Sequence, residues 1–280
     1  LSMSNPNLQQ IPARDPELGP MIRSLFLPEE GELWAAIDYS QQEPRILTHY
    51  ASVFGRWKGL PLGGAKEFVD GYTNNPNMDF HTMVADMANI SRKQAKTINL
   101  GMMYGMGVRK LADQLDLEFE DAKELTQQYH SRVPFVKELM NGVSRSVDQK
   151  DDGSLRSLKG RKCRFDMFEP MGYDIQKAMP LKEAKATYGE TAPLKRAYTY
   201  KALNRLIQAS AADMTKQAMV DLYEAGERPL LQVHDELGCS VTSADHAKRI
   251  KQVMEDAIRL HVPNKCDIDL GPSWGETKEI

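Results

Sequence analysis

Apolar and polar positions divide the chain into strand-like ends and a helix-rich middle. Glu32-Leu33-Trp34-Ala35-Ala36-Ile37-Asp38 is a nearly continuous apolar run closed by polar Tyr39-Ser40-Gln41, the pattern of a buried strand. Near the other end, the runs 229–233 and 237–241 are both apolar, with only His234-Asp235-Glu236 between them, which predicts a β-hairpin. Ser243 can cap the next helix, whose Ala247, Ile250, Val253, Met254, Ala257 and Ile258 share one apolar face. A last strand near Ile268 and a tail containing Trp274 follow.

The middle reads as helix over residues 45–53, 80 to about 147, with Pro134 starting a new helix, and 198–224, closed by Gly226. Residues 5–28 read as loop, with Pro6, Pro12, Pro16 and Pro20 breaking any helix. Residues 55–64, 71–79 and the basic stretch 153–164 are expected to be loops as well. Strands at both ends of a helical insertion predict an α+β architecture, a strand platform with a helical lobe.

At 280 residues the chain can bury one large core or two sub-domains sharing a cleft. Its net charge of −3 excludes any nucleic-acid reading from composition alone. No apolar run reaches the ~20 residues of a membrane span, and Leu1-Ser2-Met3-Ser4-Asn5-Pro6 lacks the pattern of a secretion signal. Cys163, Cys239 and Cys266 have no metal-binding spacing, and their odd number argues against a disulfide framework, so a reduced, cytosolic setting is expected.

Three constellations carry possible chemistry. Asp38 ends a buried strand before Tyr39-Ser40-Gln41-Gln42-Glu43-Pro44-Arg45, where a carboxylate has a rigid base and an open face suited to a magnesium ion beside phosphates. The plainer alternative is a helix cap. Asp235 and Glu236 lie at a turn between apolar runs, where carboxylates need a compensating cation or donors; a solvated turn is the alternative. Asp38 and Asp235 together can share two magnesium ions of the kind that clamp in-line phosphoryl transfer.

The third constellation is Arg92, Lys96, Leu100 and Tyr104, which recur every four residues and share a helix face. Such a face can cradle a triphosphate and pack against a base and sugar, or be a solvated basic face grading into a buried stripe. Arg156, Lys159, Arg161, Lys162 and Arg164 lie in one short stretch without a neutralising run of acids, a basic cluster that fits a phosphate backbone or a plain solvated loop.

Taken in order, these segments resemble the family A DNA polymerases of the bacterial polymerase I type, with phage-like features. Residues 38–45 resemble the first palm motif of that family, residues 92–105 its fingers helix, and Gln232-Val233-His234-Asp235-Glu236-Leu237 its last palm motif. Asn5-Pro6-Asn7-Leu8-Gln9-Gln10-Ile11-Pro12, Gln208-Ala209-Ser210-Ala211-Ala212-Asp213 and the tail around Trp274 add to the match, which covers essentially the whole chain. Leu100 stands where the family usually has Phe or Tyr, Gln42 and Pro44 replace aliphatic residues, and Tyr200 falls where an arginine is common.

The resemblance implies an antiparallel-sheet palm (residues 1–50 and 201–280) with a large helical fingers insertion (51–200). It implies a template-directed DNA polymerase using two Mg2+ ions, with Mn2+ able to substitute, held by Asp38, Asp235 and the Tyr39 carbonyl. Arg92 and Lys96 are implied to bind the incoming deoxynucleoside triphosphate, with Lys96 protonating the pyrophosphate. Leu100, Tyr104, Glu43 and Gln41 complete the nucleotide site, and Glu43 with Tyr104 excludes a 2′-OH. Gln208, Asn204, His234 and Arg45 are implied to touch primer-template DNA, with Glu236 a further candidate.

The chain begins just past a Thr-Gly-Arg segment of the family, so thumb and exonuclease domains are expected to be absent and supplied by an upstream region or a separate complementing chain. Expected partners are therefore DNA, deoxynucleotides and that region, in the cytoplasm of a bacterial or phage-infected cell, with no membrane. A non-catalytic DNA-binding fragment, an RNA-synthesising relative and a metal-dependent phosphohydrolase are the rival readings.

Overall fold

The computed structural model describes residues 5, 7–12, 15–57, 62–172 and 177–280. In chain order the helices and strands are α1 (Leu18–Arg23), β1 (Leu33–Tyr39), α2 (Gln42–Trp57), α3 (Ala65–Asn74), α4 (Phe80–Ala88), α5 (Arg92–Met103), α6 (Val108–Leu115), α7 (Phe119–Arg132) and α8 (Pro134–Asp148). Then come β2 (Ser154–Arg156), β3 (Lys162–Arg164), β4 (Met167–Pro170), β5 (Met179–Pro180), α9 (Leu181–Tyr188) and β6 (Leu194–Arg196). The chain ends with α10 (Ala202–Glu224), β7 (Pro229–Val233), β8 (Glu236–Val241), α11 (Ala244–Asp256), β9 (Cys266–Gly271) and β10 (Lys278–Glu279). They form two compact units, the first made of residues 1–46, 72–77 and 211–280, the second of 47–71 and 78–210.

The first unit is built on an antiparallel sheet of five strands in the order β10-β9-β1-β8-β7. β1 lies at its centre, which explains its unbroken apolar run: Trp34, Ala35, Ala36 and Ile37 are all buried. Side chains alternate between faces along a strand. Trp34 and Ala36 join Leu231, Val233 and Trp274 in one cluster, with Leu8, Ile11 and Phe26 against it. α11 packs against β1, β8 and β9, burying Ala247, Ile250 and Met254. Burial of each large side chain of this kind contributes about 1.5–3 kcal/mol. Gly238 pairs with Ala36, and a Cβ there would lie 2.4 Å from the Trp34 ring, so only glycine lets the indole lie across β8.

The second unit is mainly helical. Its core contains Phe68, Phe80 and Phe135, whose rings meet at 4.8 and 5.1 Å, together with Val84, Ile98, Leu111, Tyr129 and Leu139. α5 presents Ala95, Ile98, Asn99, Met102 and Met103 to this core. A capping box between Ser91 and Gln94 starts α5. Gly105, at φ +69°, ends it, with the Gly105 and Met106 N–H groups on the Met102 and Gly101 carbonyls.

The mixed helix and antiparallel-sheet class agrees with the pattern, as do β1, the β7–β8 hairpin, the Pro134 start and the Ser243 cap, whose hydroxyl accepts from the His246 N–H. Several boundaries are corrected. The expected loop of residues 5–28 contains a 3-10 turn at Leu8–Gln10 and α1, where Pro20 sits in the first turn and needs no intrahelical N–H partner; Pro6 lies outside the described residues. α2 starts at Gln42 and runs to Trp57, absorbing part of the loop expected over 55–64, of which 58–61 lie outside the described residues. α3 extends through Gly71 to Asn74. The basic stretch 153–164 is a β2–β3 hairpin. The helix expected from Tyr198 begins at Ala202, after a 3-10 turn at Thr199–Lys201. Among the described residues, no helix is long and apolar enough to cross a membrane.

Candidate active site

In the first unit, β1 delivers Asp38 between Glu236 on β8 and Asp267 on β9, its register partners on either side. Asp235 lies in the two-residue turn between β7 and β8, and its carbonyl accepts from the Tyr39 N–H at 3.5 Å. The carboxyl groups of Asp38 and Asp235 are close enough to act on each other electrostatically. Loss of hydration, then the charges of Asp235, Glu236 and Asp267, push the Asp38 carboxyl up to about 8. Desolvation also raises Asp235. Asp38 nonetheless keeps an exposed edge, so crowding behind it does not close it to a ligand.

A pair of like-charged carboxylates on a rigid strand and turn fits a divalent cation. The ion would relieve their mutual repulsion. Among the described residues no group of three or more His, Cys, Asp or Glu is arranged as a metal cage. Two carboxylates without a protein cage leave room for a divalent cation that keeps several waters and takes substrate phosphates as ligands.

Buried bonds fix both turns. The Tyr39 hydroxyl donates to the Met254 carbonyl at 2.6 Å, and the Gln232 amide donates to the His234 carbonyl at 2.5 Å. Gln41 and His234 both hold left-handed backbone, at φ +53° and +55°. Non-glycine residues rarely adopt that conformation, and it tends to survive where the surroundings enforce it. The Tyr72 hydroxyl reaches the Gln41 side chain at 3.2 Å.

Arg45, which the resemblance implied would touch DNA, is enclosed within the first unit. It is 1% exposed, and its guanidinium donates to the carbonyls of Ser40 (2.8 Å), Pro263 (2.6 Å) and Pro76 (2.6 Å) while lying over the Tyr72 ring. A side chain so enclosed, with three of its donors spent on backbone carbonyls, fixes the turn after Asp38.

In the second unit, α5 leaves Arg92, Lys96 and Tyr104 exposed and Leu100 half-buried, opposite the face that packs into the core. Arg92 is paired with Asp79 at 2.5 Å, and Asp79 also caps α4 by accepting from the Thr82 N–H at 2.8 Å. Behind this pair, the Tyr129 hydroxyl donates to Asn99 at 2.9 Å, and the Asn99 amide lies 3.0 Å from His81 Nδ1. Burial, followed by the neighbouring cations Lys96 and Arg92, holds the His81 ring below its ordinary range against the opposing charge of Asp79. The sequence reading missed Asp79, His81, Asn99 and Tyr129. Of these only Asp79, an Asp before an apolar helix start, carried a local signal.

Also in the second unit, Asn204 and Gln208 lie one turn apart on α10. Gln208 is exposed, and the buried Oδ1 of Asn204 has no hydrogen-bond partner among the described residues. All five cations of the β2–β3 hairpin are exposed, although Arg161 donates to the Ala209 carbonyl and Lys162 pairs with Asp152. The expected site residues thus divide: Asp38, Tyr39, Gln41, Glu43, His234 and Asp235 belong to the first unit, and Arg92, Lys96, Leu100, Tyr104, Asn204 and Gln208 to the second.

Comparison with known proteins follows the same lines. The chain is 38% identical to a DNA-directed DNA polymerase of Pseudomonas phage M6 over 99% of its own length and 43% of that protein. It is 33% identical to the thermostable DNA polymerase I of Thermus thermophilus, covering 31% of that protein. It therefore spans less than half the length of these relatives. Among solved structures, the POL domain of Pol1 from M. smegmatis, in complex with DNA primer-template and dNTP, superposes with a TM-score of 0.74 at 29% identity, over 98% of this chain and 46% of that one. With residues 1–276 matching the profile of DNA polymerase family A, the chain belongs to that family.

Proposed function

We propose that this chain carries the catalytic core of a DNA-directed DNA polymerase, with the first unit as palm and the second as fingers. The observation that carries the proposal is the gathering of Asp38 and Asp235, on a strand end and the adjoining turn, beside Glu236 and Asp267 with one edge of Asp38 open. Asp38, Asp235 and the Tyr39 carbonyl would hold two magnesium ions, which when bound neutralise charge on the attacking and leaving oxygens.

The reaction joins the primer 3′ oxygen to the α-phosphorus of a deoxynucleoside triphosphate and breaks the bond to the β-phosphate, releasing pyrophosphate. Arg92 and Lys96 bind the triphosphate as charge-assisted donors, with Arg92 exchanging its Asp79 partner for phosphate oxygens. Lys96 gives a proton to the departing pyrophosphate. Leu100, Tyr104, Glu43 and Gln41 pack about the base and sugar, and Glu43 with Tyr104 excludes a 2′-OH. Gln208, Asn204 and His234 contact primer-template bases, the orphaned Asn204 oxygen gaining a partner there. The β2–β3 hairpin offers its cations to the phosphate backbone. Arg45 leaves this set and becomes a support of the Asp38 turn. A thumb-like region, on this protein or on a complementing chain, would grip the duplex.

Manganese binding tests the metal reading. In the presence of a deoxynucleoside triphosphate, the protein should bind Mn2+ with an affinity that falls at least ten-fold in both Asp38→Asn and Asp235→Asn. Unchanged affinity in both variants would remove the metal site from the account.

A further inference from the structure

Tyr198 and Tyr200 precede Lys201 just ahead of α10, all three in the second unit. The rings are 39% and 53% exposed, and Lys201 Nζ lies 5.3 Å from the centroid of one and 5.5 Å from that of the other. Tyr198 holds φ +62°, a left-handed conformation that costs a tyrosine free energy and puts it outside the helix that follows. Tyr200 is seated as closely: a Cβ added to Gly105 would come within 3.2 Å of both its ring and its carbonyl. Tyr104, the residue before that glycine, is itself 37% exposed. Two aromatic rings are thus held at the surface with one ammonium near both.

We propose that Tyr198, Tyr200 and Lys201 form a stacking platform for single-stranded nucleic acid, each ring taking a base and the ammonium a backbone phosphate. Aromatic faces accept any base, and a lysine beside them supplies the charge that such sites combine with stacking. A protein surface would call for contiguous apolar contact, whereas here each ring is polar at its hydroxyl and bracketed by a cation. The identity of the strand, a single-stranded template, rests on the polymerase reading.

The test compares two labelled hairpin DNAs at fixed salt, one blunt and one with a single-stranded 5′ overhang, by fluorescence anisotropy. The protein should prefer the overhang. Each ring's loss should lower that preference by about ten-fold, so the double variant Tyr198→Gly/Tyr200→Ala should abolish it and leave the blunt duplex unaffected. Glycine at 198 relieves the left-handed backbone, and Tyr200→Phe should keep the preference. 2-Aminopurine placed in the overhang gives a second reading, since its emission should change on binding to the parent and to Tyr200→Phe but not to Tyr200→Ala. An overhang preference unchanged in the folded double variant would overturn the platform, as would primer extension by a parent that shows no preference. A parent that prefers the overhang but never extends a primer would support the platform and sink the polymerase reading.

Discussion

The indole N–H of Trp274 donates to a Glu236 carboxylate oxygen at 2.7 Å, tying the C-terminal 3-10 turn to the residue beside Asp235. Trp274 is 2% exposed, meets Phe26 edge-on at 5.4 Å, stacks on Trp34 at 6.3 Å and carries the Arg23 guanidinium over its ring at 4.2 Å. The last segment of the chain is therefore part of the support beneath the carboxylate pair.

Trp274→Phe keeps an aromatic ring in place but removes the donor together with part of the buried ring volume. It should cost about 1.5–3 kcal/mol, the value of a hydrogen bond to a charged group, whereas Trp274→Ala should cost about 3–5 kcal/mol through the added cavity. Urea unfolding measures both, and a Phe variant as stable as the parent would show that the bond contributes nothing.

Arg45 should behave as a structural residue. Lysine's three donors sit on one nitrogen and cannot span carbonyls that Arg45 reaches from three separate nitrogens, so Arg45→Lys should lose about 3 kcal/mol as buried acceptors go unpaired. The salt dependence of DNA binding should stay the same, because no phosphate contact is removed. A slope reduced by about one unit would return Arg45 to the DNA surface.

His81 makes stability sensitive to acid. Its folded value lies below the ordinary 6.5 because burial and the cations Lys96 and Arg92 disfavour the charged ring. The unfolded chain therefore binds the proton first. The stability held by neutral His81 is fully present above about pH 6.5 and is lost as pH falls from there through the folded value. His81→Gln should flatten the fall in unfolding free energy between about pH 7.5 and 5. Identical profiles for parent and variant would contradict this.

Much of the frame was legible where local pattern and final burial agree. β1 reads as continuous apolar because both of its faces are covered, and the hairpin around His234-Asp235 is bounded by two apolar runs. α5 was readable from its four-residue spacing, which falls on the exposed face that the structure leaves uncovered. The rest was hidden for physical reasons. Proline at 20 looks like a helix breaker until its place in a first turn is known, and Gly71 masks the end of α3 although a Cβ there would strike the Met78 sulfur. The links Arg92–Asp79, Asn99–His81 and Tyr129–Asn99 join residues 13 to 30 positions apart on different helices, and no local spacing marks such pairs. The three carbonyls that Arg45 reaches were hidden for a related reason, because Pro76 and Pro263 lie far from it in the chain.

Primer extension tests the central claim most directly. The protein is supplied with a primed template, magnesium and all four deoxynucleotides at low salt, together with a thumb-bearing region of a relative. Asp235→Ala runs alongside, with folding of both checked by thermal unfolding. The account predicts template-directed extension by the parent and a loss of at least a thousand-fold in the variant. Extension that survives the loss of Asp235, or a folded parent that never extends the primer, would contradict it.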